Sequence, residues 1–412
     1  MRKVLLHRPF RHMFMAQIIA LLGTGLATVA LGLLAYDIAG GNAALVLGAI
    51  FTIKMIAYVT VAPIAGAFAD RLPRRGTLVT LDIIRALVAL ALPFVTQLWQ
   101  IYSLIIILQA ASAAFTPMFQ ATIPDLLPDE DDYTNALSLS RLAYDLESLI
   151  SPLLAAALLG VVSFHALFVG TAFGFAGSAL LVGTVLLPAV VPGPSRPIYE
   201  RTTRGIRIYL DTPRLRALLA LSFAVSAAGA MVLVNTVVIV RGGLGLPQSA
   251  VAIAMAAFGF GSVVVAMALP RILGRVGDRP VILAGAAIMG LSLIALAVWT
   301  GVIGLGWGAL LVCWVAVGAG YSAVLTPTGR LLRKSSNASD RPALFAAQFA
   351  LSHACWLVCY PLAGALMTKF GLITSLLCLG VLTLVAMMVG WRLWPNPDVD
   401  IVTQDRPDQS TT

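Results

Sequence analysis

The sequence predicts an all-α membrane protein whose twelve transmembrane helices form two six-helix halves. Three observations carry that prediction. Hydrophobic residues make up 59% of the 412 residues and charged residues 11%, less than half of the roughly 25% usual in soluble domains, so lipid is the solvent that fits. Apolar runs of spanning length recur twelve times, with a polar stretch after the sixth; about 20 such residues cross a ~30 Å hydrocarbon core as a helix. Lys and Arg fall almost entirely on one side of the topology those runs define.

Along the chain the runs cover 13–36, 44–68, 77–98, 101–123, 136–160 and 165–188, then 216–240, 248–269, 280–300, 303–326, 343–367 and 372–394. An N-terminal half therefore occupies 1–188 and a C-terminal half 216–395. The linker between them, 189–215, is rich in Pro and Arg and predicts a short amphipathic helix at the headgroups. The tail, 396–412, is polar and rich in Asp, a composition expected to be disordered. The basic arm ahead of the first run leads into a segment of spanning length without a small-residue cleavage site, so no signal peptide is expected.

With the N-terminus and every second loop on one side, every Lys and Arg outside the spans except Arg241 and Lys369 lies on that side. The positive-inside rule makes it the cytoplasm. Both termini are then cytoplasmic in a bacterial inner membrane, and the formal charge of +9 reflects topology rather than a nucleic-acid surface. Cys313, Cys355, Cys359 and Cys378 all sit in apolar runs, which suits buried thiols better than a disulfide framework.

The halves echo each other. Towards its end the fourth run carries Phe115-Thr116-Pro117, and the fifth carries Ser151-Pro152; the tenth carries Leu325-Thr326-Pro327, and the eleventh Tyr360-Pro361. The loops after the second and eighth runs also match, 71–78 against 275–282. Parallel repeats of this kind recur in transporters, with the binding site near the midplane between them.

The segment Gly66-Ala-Phe-Ala-Asp70-Arg71-Leu-Pro-Arg74-Arg75 resembles the loop-two signature of the major facilitator superfamily, with Pro73 in place of its last glycine. The resemblance implies the two-half major facilitator fold and a cytoplasmic gate built from Gly66, Asp70, Arg71, Arg74 and Arg75. In the second copy Gly274 stands where the aspartate belongs and Asp278 where an arginine belongs, so the first half is expected to carry more of the gate's charge. The stretch 116–131 followed by Asn135-Ala136-Leu137-Ser138 resembles the prokaryotic exporter branch that includes enterobactin, macrolide and nickel-resistance permeases, which implies export. Ile106 occupies the place where antiporters of this type often carry an arginine.

Ionisable residues at membrane depth are costly and mark functional sites by default. Lys54 lies about ten residues, or ~15 Å, from either end of its run. Asp82 and Arg85 are spaced to pair with each other, as are Arg141 and Asp145. Glu147, the deepest acid, has no local partner. Glu147, Asp145 and Lys54 are the candidates for proton coupling. Helical spacing adds two polar stripes: Gln17, Thr24 and Thr28 on the first segment, and Gln109, Ser112, Thr116 and Gln120 on the fourth. Aromatic faces follow on the tenth (Trp314, Tyr321) and eleventh (Phe349, His353, Trp356, Tyr360). Together these predict a cavity polar on one side and aromatic on the other.

The activity expected is secondary active export of small amphipathic solutes, drug-like or siderophore-like, by proton-coupled antiport through alternating access. A divalent-metal exporter for nickel or cobalt is the nearest alternative. It is weakened because His353 points away from Cys355 on a helix and no His-rich tail is present. A membrane receptor or scaffold is the alternative of another class. No phosphate-loop, Ser-His-Asp or zinc-hydrolase motif is evident, so neither an enzyme, nor ATP drive, nor a cofactor or resident metal is expected. The partners expected are a small-molecule substrate, protons and lipid, around a monomer.

Overall fold

The computed structural model describes residues 2–68, 72–127, 129–185, 187, 198–335 and 341–394, and every regular element among them is helical. The first half contains α1 (Arg8–Ala39), α2 (Ala43–Phe68), α3 (Arg74–Ala91), α4 (Leu98–Leu126), α5 (Glu130–Leu159) and α6 (Phe164–Gly183). The second contains α7 (Pro213–Val237), α8 (Gln248–Val276), α9 (Asp278–Val302) and α10 (Trp307–Leu325). It ends with the segment Arg341–Leu393, which Gly371, at φ 76° and ψ −175°, divides into α11 (341–370) and α12 (372–393). That backbone conformation is one that glycine alone adopts without strain.

Nine segments among the described residues are long and apolar enough to cross a membrane, and two of them, Arg8–Ala62 and Leu344–Leu393, hold two helices each. The twelfth helix is α5, whose first half carries the acids Glu130, Asp131 and Asp132. Its N-terminus is closed by the Asp129 carboxylate, which accepts from the backbone N–H of Asp132 at 3.0 Å, the usual service of an N-cap aspartate.

The paired prolines are not structurally equivalent. Pro327 stands just past the end of α10, as expected, but Pro117 lies inside α4, which continues to Leu126. A proline removes one ladder hydrogen bond, and neighbouring helices make up such losses in a membrane bundle. The linker does contain a helix, Ile198–Asp211. Its Tyr209 is fully buried and donates to the Gln348 side-chain oxygen on α11, whose amide nitrogen in turn lies 3.3 Å from the Ser222 hydroxyl on α7.

Helices in lipid gain nothing from hydrophobic burial against one another and associate through close packing of small residues. At the α8–α10 crossing, a Cβ on Gly261 would stand 2.0 Å from the Val315 carbonyl oxygen, and one on Gly318 1.9 Å from that of Phe258. The α1–α6 crossing is similar, with Gly23 against Gly174 and the Thr171 hydroxyl donating to the Gly23 carbonyl at 2.8 Å.

Inside the first half, Asp82 and Arg85 of α3 form a buried ion pair. The Ser178 hydroxyl of α6 donates to the second Asp82 oxygen at 2.7 Å, and the Arg85 guanidinium lies between the rings of Phe115 (4.1 Å) and Phe175 (4.5 Å). The pair thus joins α3, α4 and α6. Removing one member strands a buried charge, at a cost of about 3–5 kcal/mol. Arg85→Leu is therefore expected to abolish most folded protein, and Asp82→Asn with Arg85→Leu to restore it. Thermal unfolding in detergent checks this; an Arg85→Leu protein as stable as wild type would refute it.

Candidate functional site

The site starts at the crossing of α1 and α5. Gly25 leaves α1 bare there, and α5 lies so close that a Cβ on Gly25 would stand 2.1 Å from the Ser151 Cβ and 2.6 Å from a Glu147 carboxyl oxygen. Ser151 is fully buried, while Glu147, one turn earlier, is half-buried. A glycine at this one position therefore seats the Glu147 carboxyl group against the α1 backbone. Thr24 and Thr28 flank it, and each donates its hydroxyl to the backbone carbonyl four residues earlier, at 2.9 and 3.0 Å. Their protons are spent locally, leaving only acceptor capacity for a ligand. Thr116 donates in the same way to Ser112 at 3.2 Å, and Gln109 and Ser112 are half-buried beside it. Gln17 is buried, and among the described residues its side-chain oxygen has no hydrogen-bond partner.

Across from this crossing, α2 and α11 bring four side chains together. The Lys54 ammonium lies 5.9 Å from the centre of the Tyr58 ring. Tyr58 stacks on His353 at 5.4 Å with 9° between the planes, and Phe349 sits 4.0 Å from His353 and 6.1 Å from Tyr58. The His353 Nδ1 is 2.6 Å from the Phe349 carbonyl oxygen. A carbonyl can only accept, so Nδ1 carries the proton and Nε2 faces outward from that bond. Lys54 is within electrostatic reach of both Glu147 and His353. The first half thus supplies one acidic and one basic group, Glu147 on α5 and Lys54 on α2, and α11 of the second half supplies an imidazole.

The rest of the α11 face diverges from the continuous aromatic wall expected. Trp356 fits a notch on α7, where a Cβ on Gly229 would stand 2.4 Å from its ring, and it touches Tyr360 (4.9 Å) and Tyr321 (6.5 Å). Tyr360 is buried and stacks on Phe51 of α2 at 4.9 Å. Trp314 is fully buried, its ring N–H donating to the Thr236 hydroxyl at 2.8 Å, so it packs between α10 and α7. The periodicity that puts Trp314 and Tyr321 on one helical face does not say which neighbour covers that face.

Beyond Tyr360 the halves meet directly. A Cβ on Gly48 would stand 2.8 Å from the Tyr360 carbonyl oxygen, one on Gly364 2.4 Å from that of Ala44, and one on Gly32 2.7 Å from Val237. Arg241 lies over the Tyr36 ring at 5.7 Å and donates to the Leu246 carbonyl at 3.0 Å. This end of the bundle, where α1 runs into α2, is shut.

At the other end, Gly66 lies in the last turn of α2, Arg74 is buried and Arg75 exposed at the start of α3. Asp70 and Arg71, and the side chain of Asp145, fall outside the described residues. In the second half, Asp278 at the start of α9 takes Lys334 at 2.7 Å and Arg330 at 3.4 Å, so the altered second copy keeps an acid with basic partners. Among the described residues, no three His, Cys, Asp or Glu side chains converge as metal ligands.

Sequence reasoning passed over Tyr58, Gly25 and the Gly48–Gly364 contact. Tyr58 was within reach, since it lies one turn after Lys54 on the same face. The glycines gave no comparable signal among 36 in the chain.

Two six-helix halves around a charged centre, shut at one end by facing glycines, make the architecture of a membrane transporter. The chain belongs to the Major Facilitator Superfamily, whose family model matches residues 13–252 and 218–410. It is 28% identical over 124 residues to the uncharacterized MFS-type transporter YfiS of Bacillus subtilis (strain 168), a match that spans 30% of each chain. Solved structures share the fold at low identity. A bacterial homolog to the human lysosomal transporter Spinster, inward-facing and unoccupied, gives a TM-score of 0.75 at 14% identity, covering 98% of this chain and 99% of that one. A POT family transporter in complex with 5-aminolevulinic acid gives 0.74 at 15%, covering 94% and 96%. The nucleoside transporter NupG gives 0.71 at 14%, covering 94% and 99%.

Proposed function

We propose that this protein is a secondary exporter of small amphipathic solutes, working by alternating access and driven by proton antiport. The observation that carries the reading is the set of Glu147 and Lys54 from the first half with His353 from the second, the Glu147 carboxyl group lying against bare backbone at Gly25. An antiporter needs one group that is charged when access opens to one side and neutral when it opens to the other. Glu147 suits that role, because an ionised carboxylate at membrane depth must be paired and Lys54 is the cation within its reach. The resemblance at 116–138 supports the outward direction. The basic loops put both termini in the cytoplasm of the bacterial inner membrane, and the shut end then faces outward. Asp70, Arg71, Arg74 and Arg75 form the cytoplasmic gate in this reading, and Asp145 is a second acid near the coupling site.

Comparing growth of cells with and without the gene across dyes, siderophores and metal salts identifies the solute. Everted membrane vesicles then test the drive. They are expected to accumulate that solute when their lumen is acidified, and to lose it when a protonophore collapses the gradient. Accumulation indifferent to the protonophore would refute proton antiport.

A further inference from the structure

The second contact between the halves, the ring stack beside Lys54, carries an inference about what the site binds; it rests on the transport reading above. Tyr58 belongs to α2 and His353 to α11, and their rings are parallel within 9° at a centroid distance of 5.4 Å. Phe349 continues the wall at 4.0 Å from His353 and is 38% exposed. The Nδ1 bond to the Phe349 carbonyl oxygen holds the imidazole in this plane. Its Nε2 edge remains as an acceptor.

We propose that Tyr58 and His353 are the two walls of a slot that takes a flat aromatic solute, which enters as the halves separate and replaces the contact between the two rings. Carbon layers pack at about 3.5 Å, so a ring held between two others needs about 7 Å between them. The ring centroids are 5.4 Å apart, so rings in contact at that layer spacing are offset, and a further parting of their planes by about 3.5 Å opens the slot. Alternating access moves α2 against α11 by rocking one half on the other, which supplies that parting. A hydroxyl or N–H on the solute finds the Nε2 edge of His353. Lys54, 5.9 Å from the Tyr58 ring centre, offers a donor to an oxygen on the same molecule.

The test is equilibrium binding to the full chain in lipid nanodiscs without a gradient, using 2-naphthol and its saturated, puckered counterpart decahydro-2-naphthol as probes and protein-free discs as the blank. Stacking on two faces predicts a preference for 2-naphthol of about tenfold. Tyr58→Leu and His353→Leu are expected to erase the preference, and Tyr58→Phe and His353→Phe to keep it. In wild-type protein, 2-naphthol is expected to slow diethylpyrocarbonate modification of His353, located by mass spectrometry, and the decahydro compound to leave it unchanged. Equal affinity for the two probes, a preference that survives both leucine variants, or no protection of His353 would overturn the slot. The transport reading fails separately. Gradient-driven flux of a non-aromatic solute by a protein without ring preference removes the slot alone, whereas ring preference without any gradient-driven flux removes the transport reading.

Discussion

Glu147→Gln is expected to reduce gradient-driven transport to background while leaving the protein inserted and able to bind solute. The carboxyl group lies against the α1 backbone at Gly25, beside the buried Ser151, with Lys54 the cation in reach. Glutamine keeps the shape that fits this place but has no proton to take up or release. The two halves can still rock, so exchange of solute down its own gradient is expected to persist. Lys54→Ala carries the complementary expectation. It leaves an ionised Glu147 without its counter-charge at a depth where that costs a few kcal/mol, so transport falls there as well. In exchange of solute down its own gradient, which Glu147→Gln retains, the double variant is expected to match Glu147→Gln and exceed Lys54→Ala, because the stranded charge is gone; such non-additivity marks residues that act as a unit. Flux assays in proteoliposomes, with and without an imposed pH gradient, separate these outcomes. Proton-driven transport by the Glu147→Gln protein at the wild-type rate would remove the coupling role from this residue.

The frame of this protein was legible because bilayer thickness sets a length and lipid sets a composition. Both act on every helix, so the runs read from sequence differ from α1–α12 mainly at their ends. Pro117 shows the limit of the repeat: its counterpart Pro327 follows the end of α10, whereas Pro117 lies inside α4, which runs on to Leu126. The charged centre was half legible. Lys54 and Glu147 stand out by depth alone, but their proximity depends on how α2 and α5 are placed, which neither segment encodes by itself. Asp82 and Arg85 at i and i+3 were readable as a pair; Ser178, Phe115 and Phe175, which complete their surroundings, come from two other helices. The aromatic stripes were found as faces, but their coverings were not. Trp314 went to Thr236 and Tyr360 to Phe51, whereas His353 took Tyr58 from the opposite half. Glycine contacts were invisible for a simpler reason: a residue without a side chain leaves no pattern until its neighbour is known.

Gly364→Leu is expected to block the protein in a form open at the end that is shut here, again with transport reduced to background. The contact is reciprocal: Ala44 and Gly48 of α2 face Tyr360 and Gly364 of α11 with backbone against backbone. A Cβ at 364 would lie 2.4 Å from the Ala44 carbonyl oxygen and 3.1 Å from the Leu45 Cα. Those are main-chain atoms of a helix and cannot rotate aside, unlike the end of a flexible side chain. Overpacking costs about 1–3 kcal/mol even where side chains can adjust, and about 5.5 kcal/mol moves a two-state equilibrium from almost fully one state to almost fully the other. Leucine against rigid backbone, alone or with Gly48→Leu, falls in the range that empties the shut state. Under alternating access as proposed above, the other arrangement parts α2 from α11 here and has room for the new side chain, which confines the damage to the shut state. Insertion and folding are therefore retained. Gly308→Leu is the matched control: nothing lies within 4 Å of a Cβ there, and its transport is expected to stay at the wild-type level. A cysteine placed at Phe51, which stacks on Tyr360 behind the contact, reports the state in a background without the native cysteines. It is expected to react slowly with a membrane-impermeant maleimide from outside when residue 364 is glycine, and quickly when it is leucine. Wild-type transport by the Gly364→Leu protein would show that this crossing is not the closure on which the cycle depends.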